Sequence, residues 1–294
     1  MTRPSHLSAS LSGTFLIGGD LPVHRLGYGT MRLVGDGAWG EPADEAEARR
    51  VLRRAVELGV TLIDTADAYG PEIAERLIGD TLAPYSPGVV IATKGGITRQ
   101  GPAKTEYVGR AGYLIQCVEM SLRRLRLERI DLYQLHRIDP RTPLEESLGA
   151  LRRMQEAGKI RHIGLSEVVP AEIEDAEKIV PIVSIQNRYS LADRRHEETL
   201  MYCERRGIAF LPWYPYAGGK LLKAEHPAAQ ALGRIAARHG ITIPQLSLAW
   251  LLHRSPVMLP IPGTSKVAHL EENVAAAGLK LSAEEWTELE EAAR

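Results

Sequence analysis

The sequence contains little cysteine and no long uninterrupted apolar run. Only Cys117 and Cys203 occur in 294 residues, both in segments with a helical pattern, and they form neither a disulfide framework nor a zinc-binding spacing. We interpret them as small buried residues and expect a reducing compartment, the cytoplasm. No run of about 18 apolar residues is present, so no membrane-spanning helix is expected. The polar, Ser-rich start MTRPSHLSASLSG also lacks the apolar core of a signal peptide.

Charge of one sign is not in excess either. The chain has 36 Lys and Arg against 37 Asp and Glu, a formal net charge of -1. Such a balance gives no electrostatic reason to bind nucleic acid or an anionic membrane. Its nine histidines are scattered, and no His-x-His follows the first predicted strand, so we expect no metal site. The hydrophobic share of 44% is ordinary for a globular protein, which excludes a disordered chain.

The chain instead alternates short apolar runs with helix-period segments. Eight runs are predicted strands: 26–31, 61–64, 89–94, 130–136, 161–166, 182–187, 208–214 and 257–262. They are apolar almost throughout, as expected when both faces of a parallel sheet are covered. A closed barrel and an open doubly wound sheet both match this pattern, but no G-x-G-x-x-G follows the first strand, which weighs against the open sheet.

We therefore predict an α/β fold, a single (β/α)8 TIM barrel over residues 14–294, after a flexible leader over residues 1–13. Gly18, Gly19 and Asp20 separate two short apolar stretches within residues 14–25 and predict a β-hairpin there. Amphipathic spacing predicts helices such as 44–58 and a final helix at 282–293. Long connections after strands, at 32–43, 95–110 and 215–227, predict where the functional rim lies.

Four ionisable side chains fall at or just beyond the ends of three neighbouring predicted strands. Asp64 ends the second strand with Tyr69 beyond it, Lys94 ends the third, and His136 ends the fourth. Each alone has an ordinary explanation: a helix cap, a packing ring, a lysine reaching solvent, a core histidine. Together the four side chains are too polar to be ordinary filling of a barrel interior. Because an unpaired buried lysine is costly, we expect Asp64 to pair with Lys94.

This set suits the reduction of a carbonyl group. Hydride arriving at carbon leaves negative charge on oxygen, which needs a proton and hydrogen-bond donors. A free phenol titrates near pH 10, so we expect Lys94, held by Asp64, to depress the pKa of Tyr69 for acid catalysis. His136 would donate to the carbonyl oxygen or help relay the proton.

Six segments resemble the aldo-keto reductase family, in register from about residue 14 to the C-terminus. They are LIDTADAYG (62–70), ATKGG (92–96), DLYQLHR (131–137), HIGLSE (162–167), SIQNRYS (184–190) and IPGTSKVAHLEENV (261–274). The resemblance implies the (β/α)8 barrel, with the 14–25 hairpin closing its bottom, and NADPH-dependent reduction of small aldehydes and ketones, with NADH possible. It also implies that Asp64, Tyr69, Lys94 and His136 form the catalytic tetrad.

The same resemblance implies the cofactor contacts. Ser166 and Gln186 match the positions that bind the nicotinamide carboxamide, and Trp213 matches the aromatic ring that stacks on the nicotinamide. Residues for the adenosine 2′-phosphate and adenine would be Gly263, Thr264, Ser265, Lys266, His269, Glu272 and Asn273. A plain surface helix is equally consistent with the periodicity of 266–277.

The sequence departs from the family pattern at three points. Glu167 stands where many members have Asn, which puts one carboxamide contact in question. His269 stands where many members place Arg against the 2′-phosphate, so a permanent charge and a bidentate fork are lost, although Lys266 can compensate. The chain also ends soon after the last helix, so we expect an open substrate pocket.

Candidate walls of that pocket are Met31, Trp39, Arg137 and Tyr216. The segments 27–42 and 213–219 are also similar to bacterial reductases that act on pyridoxal, which makes pyridoxal a candidate substrate. Two hypotheses from other classes stay open: an aldolase that uses Lys94 as a Schiff-base amine, and a cofactor-sensing regulatory subunit.

Overall fold

The computed structural model describes residues 7–216 and 227–293. The first two strands form an antiparallel hairpin, β1 (Thr14–Ile17) and β2 (Leu21–His24), turned through Gly18 and Gly19 at positive φ. Ile17, Leu21 and Val23 pack with residues from the interior of the main sheet, so the hairpin closes one end of the barrel as expected.

Seven parallel strands form the main sheet. They are β3 (Tyr28–Gly29), β4 (Leu62–Asp64), β5 (Val90–Gly95), β8 (Ile130–Leu135), β9 (Ile160–Ser166), β10 (Ile182–Gln186) and β11 (Ala209–Phe210), with two further strands, β6 (Ile97–Gly101) and β7 (Lys104–Tyr107), between β5 and β8 in the chain. The sheet order β11-β10-β9-β8-β5-β4-β3 follows the chain in one direction, as in a barrel. These strands could be predicted because each belongs to a short apolar run. All seven lie within the predicted runs or within one residue of them.

The eighth predicted strand, 257–262, closes the barrel without forming a regular ladder. On one side Leu259 N donates to Phe210 O at 2.8 Å, and on the other Gly27 N donates to Pro260 O at 2.9 Å. Pro260 and Pro262 lack an N–H group, so this segment can pair only at isolated positions. It therefore bridges the two edges of the curled sheet and completes the (β/α)8 barrel.

Helices surround the sheet, and their bounds are α1 (Glu45–Glu57), α2 (Ile73–Leu82), α3 (Ala111–Leu125), α4 (Leu144–Glu156), α5 (Pro170–Glu177), α6 (Glu197–Arg206), α7 (Pro227–His239), α8 (Ile243–Arg254), α9 (Val267–Ala275) and α10 (Ala283–Ala292). The Asp44 side chain caps α1 by accepting from Glu47 N. In the described ranges no helix has the length and apolar character needed to cross a membrane. Cys117 and Cys203 are free and buried, as expected.

Two segments differ from expectation. Residues 95–110, expected to be a long loop, contain the antiparallel hairpin of β6 and β7, which stands at the mouth of the barrel. The sequences ITRQG and KTEY are too polar to show a strand pattern, although the Gly101-Pro102 pair is a turn signal. Within the expected leader, Ala9–Ser12 forms a 3-10 helix with Ala9 fully buried, so this part of the leader is packed.

Candidate active site

The carboxyl ends of β4, β5 and β8 bring the four predicted ionisable residues together. Asp64 is the last residue of β4, Lys94 lies near the end of β5, and His136 directly follows β8. Neighbouring parallel strands end at the same face of a barrel, which is why residues far apart in the chain meet here. Tyr69 lies in the turn after β4, with its ring edge-on to His136 and centroids 6.0 Å apart.

Lys94 and Asp64 form a buried ion pair. The Lys94 Nζ atom donates to Asp64 Oδ2 at 2.7 Å and to Thr65 O at 2.7 Å, while the other carboxylate oxygen accepts from Gln186 Nε2 at 2.8 Å. Burial alone would lower the pKa of Lys94, but the Asp64 carboxylate raises it above its usual value. The amine is therefore an ammonium ion, as its expected pairing with Asp64 requires.

The Tyr69 hydroxyl completes this series of hydrogen bonds, because Lys94 Nζ donates to Tyr69 Oη at 3.3 Å. The expected depression of the Tyr69 pKa is wrong: burial raises it and outweighs the lowering effect of Lys94. The physical reason is that Asp64 cancels much of the ammonium charge and itself disfavours a phenolate. Tyr69 thus keeps its proton at neutral pH, the form that an acid must have before it donates.

His136 is held neutral. Burial lowers the pKa of its imidazole well below the usual value, and the positive charges of Lys94, Arg137 and Arg99 lower it further. Its Nδ1 atom has no hydrogen-bond partner within the described residues. A neutral imidazole beside Tyr69 can donate one hydrogen bond to a carbonyl oxygen without adding a positive charge.

A cleft of about 560 Å³ extends from Tyr69 and His136 past Ser166, Gln186 and Trp213 to Gly29 and Gly263. It accommodates an extended nucleotide: the imidazole has an uncommitted nitrogen, and the two glycines present bare backbone at the far end. Ser166 Oγ accepts from Arg137 at 2.8 Å, and Gln186 is held by Asp64. The structure thus brings the predicted carboxamide contacts together with Asp64, Tyr69 and His136 on the wall of one cavity, with Lys94 buried behind it.

Glu167, the first departure from the family pattern, holds Trp213 in place. Its Oε1 accepts from Trp213 Nε1 and from Arg188 N, each at 2.6 Å, with its own backbone in the left-handed region at φ 58°. Burial would raise the pKa of Glu167, but donors from His196, Trp213 and Arg188 together lower it to about 2. A permanently ionised Glu167 therefore positions the ring that lines the cleft.

Four of the predicted phosphate and adenine residues lie in the segment before α9, and the other three lie on α9 itself. Asn273 Oδ1 accepts from Tyr216 Oη at 2.9 Å, and Tyr28 Oη donates to Thr264 O at 2.6 Å. The backbone N–H of Val267, in the first turn of α9, donates to Glu47 Oε1 at 3.0 Å. The sequence did not predict this contact, because Glu47 lies on α1, 220 positions away from Val267. The remaining predicted residues of this region are Gly263, Ser265, Lys266, His269 and Glu272, of which Lys266 and His269 are exposed.

Three of the four predicted pocket residues line the cleft: Met31, Arg137 and Tyr216. Trp39 is the exception, since its backbone pairs with Gly70 and its side chain is not on the wall. The part of the segment 213–219 beyond Tyr216 falls outside the described residues. Sequence reasoning missed Arg99 and Tyr107 of the β6–β7 hairpin, which also line the cleft.

Comparisons with known proteins agree with this geometry. Residues 25–294 match the model of the aldo/keto reductase family. An uncharacterized oxidoreductase of Schizosaccharomyces pombe is 48% identical over 98% of this chain and 92% of its own length. Pyridoxine 4-dehydrogenase of Escherichia coli is 42% identical over 93% of this chain and 96% of its own length.

Solved structures show the same arrangement of the whole chain. The glycerol dehydrogenase from Gluconobacter oxydans has a TM-score of 0.86 at 26% identity, covering 96% of this chain and 95% of its own. An aldo-keto reductase from Klebsiella pneumoniae, solved in complex with NADPH, has a TM-score of 0.79 at 27% identity, with coverages of 95% and 94%.

Proposed function

The chain belongs to the aldo/keto reductase family and reduces aldehydes and ketones with NADPH, and we propose that Tyr69 is the proton donor of this reaction. The observation that carries the assignment is the buried series from Asp64 through Lys94 to the Tyr69 hydroxyl, with bonds of 2.7 and 3.3 Å. Reduction of a carbonyl needs such a proton donor beside the carbonyl oxygen.

NADPH, when bound in the cleft, would supply the hydride, two electrons and one proton nucleus, for the carbonyl carbon. The residues of this protein act on the carbonyl oxygen of the substrate. His136 donates a hydrogen bond that polarises the carbonyl, and Tyr69 transfers its phenolic proton to the developing alkoxide. The fixed ammonium of Lys94 then stabilises the phenolate, which takes its proton back from solvent.

We propose that Ser166 and Gln186 bind the carboxamide and that Trp213, fixed by Glu167, stacks on the nicotinamide. The adenosine phosphate and adenine would be held by the segment before α9, from Gly263 to Lys266, and by His269, Glu272 and Asn273 on α9. These assignments are supported by the cleft that connects Trp213 to Gly263 and by the Klebsiella relative that binds NADPH.

The Schiff-base hypothesis for Lys94 does not survive. A nucleophilic amine must be neutral, whereas the pKa of Lys94 is raised and its Nζ already donates to Asp64, Thr65 and Tyr69. The regulatory-subunit hypothesis would be favoured by slow turnover despite tight cofactor binding.

Pyridoxal is our proposed substrate. Support comes from the 42% identity to pyridoxine 4-dehydrogenase and from the aromatic walls of the cleft, Tyr107, Trp213, Tyr214 and Tyr216, which suit a planar ring. A single-domain barrel over 14–294 and a cytoplasmic location, without nucleic-acid partners, complete the proposal; the two free cysteines are consistent with a reducing compartment.

The test is a panel of aldehydes and ketones assayed by NADPH and NADH oxidation. Pyridoxal should have a kcat/KM about tenfold or more above that of benzaldehyde, a difference of about 1.4 kcal/mol in transition-state binding. Equal or better turnover of simple benzaldehydes would remove pyridoxal but leave carbonyl reduction intact. Absence of turnover across the panel would contradict the reductase assignment itself.

A further inference from the structure

Positive charge at the mouth of the cleft exceeds negative charge. Arg32, Arg99 and Arg137 all line it, and the acidic residue on the described part of its wall is Asp64, which is committed to Lys94. In the same described part, no carboxylate lies within ion-pair distance of any of the three guanidinium groups. Arg32 is exposed, whereas Arg99 and Arg137 are half-buried. A half-buried arginine without a counter-ion beside a catalytic centre is unusual, because buried charges are normally paired.

The three arginines occupy different parts of the cleft. Arg32 lies at the nucleotide end, where a Cβ on Gly263 would be 3.4 Å from its Cγ. Arg137 donates to His136 O at 2.6 Å and to Ser166 Oγ at 2.8 Å, so it lies beside the proposed carboxamide site. Arg99 extends from the β6–β7 hairpin and lines the same cleft.

Arg99 is held in place without being neutralised. Its Nη2 donates to the carbonyl oxygens of Gly37 and Ala38, which fixes the guanidinium between the hairpin and the loop after β3. Burial lowers the pKa of Arg99, and the group remains charged. Its field reaches the reacting centre, since it contributes to the lowered pKa of His136.

We propose that the carbonyl substrate carries an anionic oxygen, a carboxylate or an ionised phenol, and that Arg99 binds this group. The inference rests on the proposed function, because it assigns a ligand to the same cleft. A guanidinium presents a planar set of donors suited to such an oxyanion, and here no carboxylate among the described residues pairs with it. Thr105 and Tyr107 of the same hairpin line the adjoining wall. Pyridoxal, with an ionisable hydroxyl beside its aldehyde, falls within this class.

The experiment compares two substrates of the same shape and different charge, 4-formylbenzoate and 4-formylbenzamide. The wild-type enzyme should prefer the benzoate by about tenfold in kcat/KM, the size expected for one charge-assisted contact. Arg99→Met should remove most of this preference by raising KM for the benzoate, with kcat little changed. The amide should change by about twofold or less, which separates lost anion binding from a loosened hairpin.

Two further variants and one condition sharpen the result. Lys104→Met removes an exposed cation from the same hairpin and should leave the preference intact. Arg99→Lys should restore part of it, since the charge remains but the fork is lost. The preference should also weaken with added salt. Pyridoxal tests the case in which the anionic oxygen is an ionised phenol. Its kcat/KM should be lower in Arg99→Met than in the wild type.

The outcomes separate this inference from the proposed function. Equal rates for benzoate and amide in the wild type, or an equal loss for both in Arg99→Met, would overturn anion recognition while carbonyl reduction stands. A pyridoxal rate unaffected by Arg99→Met, with the benzoate rate reduced, would restrict the anion to a carboxylate. Failure of the wild type to reduce either compound would contradict the reductase assignment and this inference together.

Discussion

The two ends of the cleft are built in different ways. At the carbonyl end Asp64, Lys94 and Gln186 are between 0% and 3% exposed, and each is bonded to a neighbour on another strand. At the end formed by α9, Lys266 and His269 are exposed, and the first-turn N–H of Val267 is occupied by Glu47 from another helix.

This difference indicates which properties of the enzyme are fixed and which are adjustable. A buried ion pair tolerates loss of one partner poorly, because the remaining charge stays desolvated. Exposed side chains at a helix terminus contribute little to stability, and water screens their charges. We therefore expect changes at the carbonyl end to abolish chemistry or alter folding, and changes at the α9 end to shift cofactor preference.

The largest effect is expected from Tyr69→Phe. Removing the hydroxyl leaves the ring in place but takes away the proton donor, so kcat should fall by about 10²–10⁴-fold. Cofactor binding, followed by quenching of tryptophan fluorescence, should be nearly unchanged because Tyr69 lies away from α9. Tyr107→Phe, which removes another hydroxyl from the wall of the cleft, should retain turnover within about twofold. Turnover retained in Tyr69→Phe would contradict the acid assignment.

The carbonyl end was predictable because parallel strands in a barrel end on one face. Asp64, Lys94 and His136 stand at the ends of apolar runs, so their convergence required no knowledge of side-chain contacts. The raised pKa of Tyr69 was not predictable in the same way. It depends on the balance between burial and a charge that Asp64 partly cancels, and both are properties of the packed structure.

The contacts that sequence reasoning missed join distant or polar segments. Glu47 meets Val267 across 220 positions, and no local pattern links α1 to α9. Arg99 lies in a hairpin whose strands are polar, so it was assigned to a loop. Trp39 was placed in the pocket because it is aromatic and lies in a rim segment, yet it is not among the residues that line the cleft.

A second effect, of intermediate size, should appear in stability at the carbonyl end. Asp67, 7% exposed in the turn between Asp64 and Tyr69, has a pKa raised by burial and by Glu75 to about 8. An acid whose folded-state pKa is raised gives stability that is full below about pH 4 and is lost as the pH rises toward 8. Relative to Asp67→Asn, the wild type should therefore lose on the order of a few kcal/mol across this range.

Urea unfolding of both proteins at pH 5 and pH 8.5 measures this difference. The free energy of unfolding of the wild type should fall between the two values more than that of Asp67→Asn. Asp36→Asn, which removes an exposed carboxyl group from a rim loop, should follow the wild type. Parallel pH dependence of wild type and Asp67→Asn would show that Asp67 is ionised in the folded protein.

The smallest effect is expected at the other end of the cleft, from Glu47→Gln. Hydrogen bonds from Val267 N and Arg50 lower the pKa of Glu47, so a carboxylate charge stands at the N-terminus of α9 at neutral pH. A 2′-phosphate bound near Lys266 would be repelled by this charge and would compete with it for the same backbone N–H. The glutamine can still accept that hydrogen bond but carries no charge.

Binding of 2′,5′-ADP to Glu47→Gln, measured by calorimetry, should therefore tighten by about fivefold, as for one charge pair screened by water. Binding of 5′-AMP should not change, and the NADPH-to-NADH ratio of kcat/KM should rise in parallel. Glu45→Gln, two positions earlier on α1 and paired with Arg49, is the matched control and should bind both nucleotides like the wild type. Equal 2′,5′-ADP affinities in Glu47→Gln and wild type would mean that the phosphate binds elsewhere. The α9 end would then have no part in the choice of cofactor. The two ends of the cleft would differ only in how exposed their side chains are.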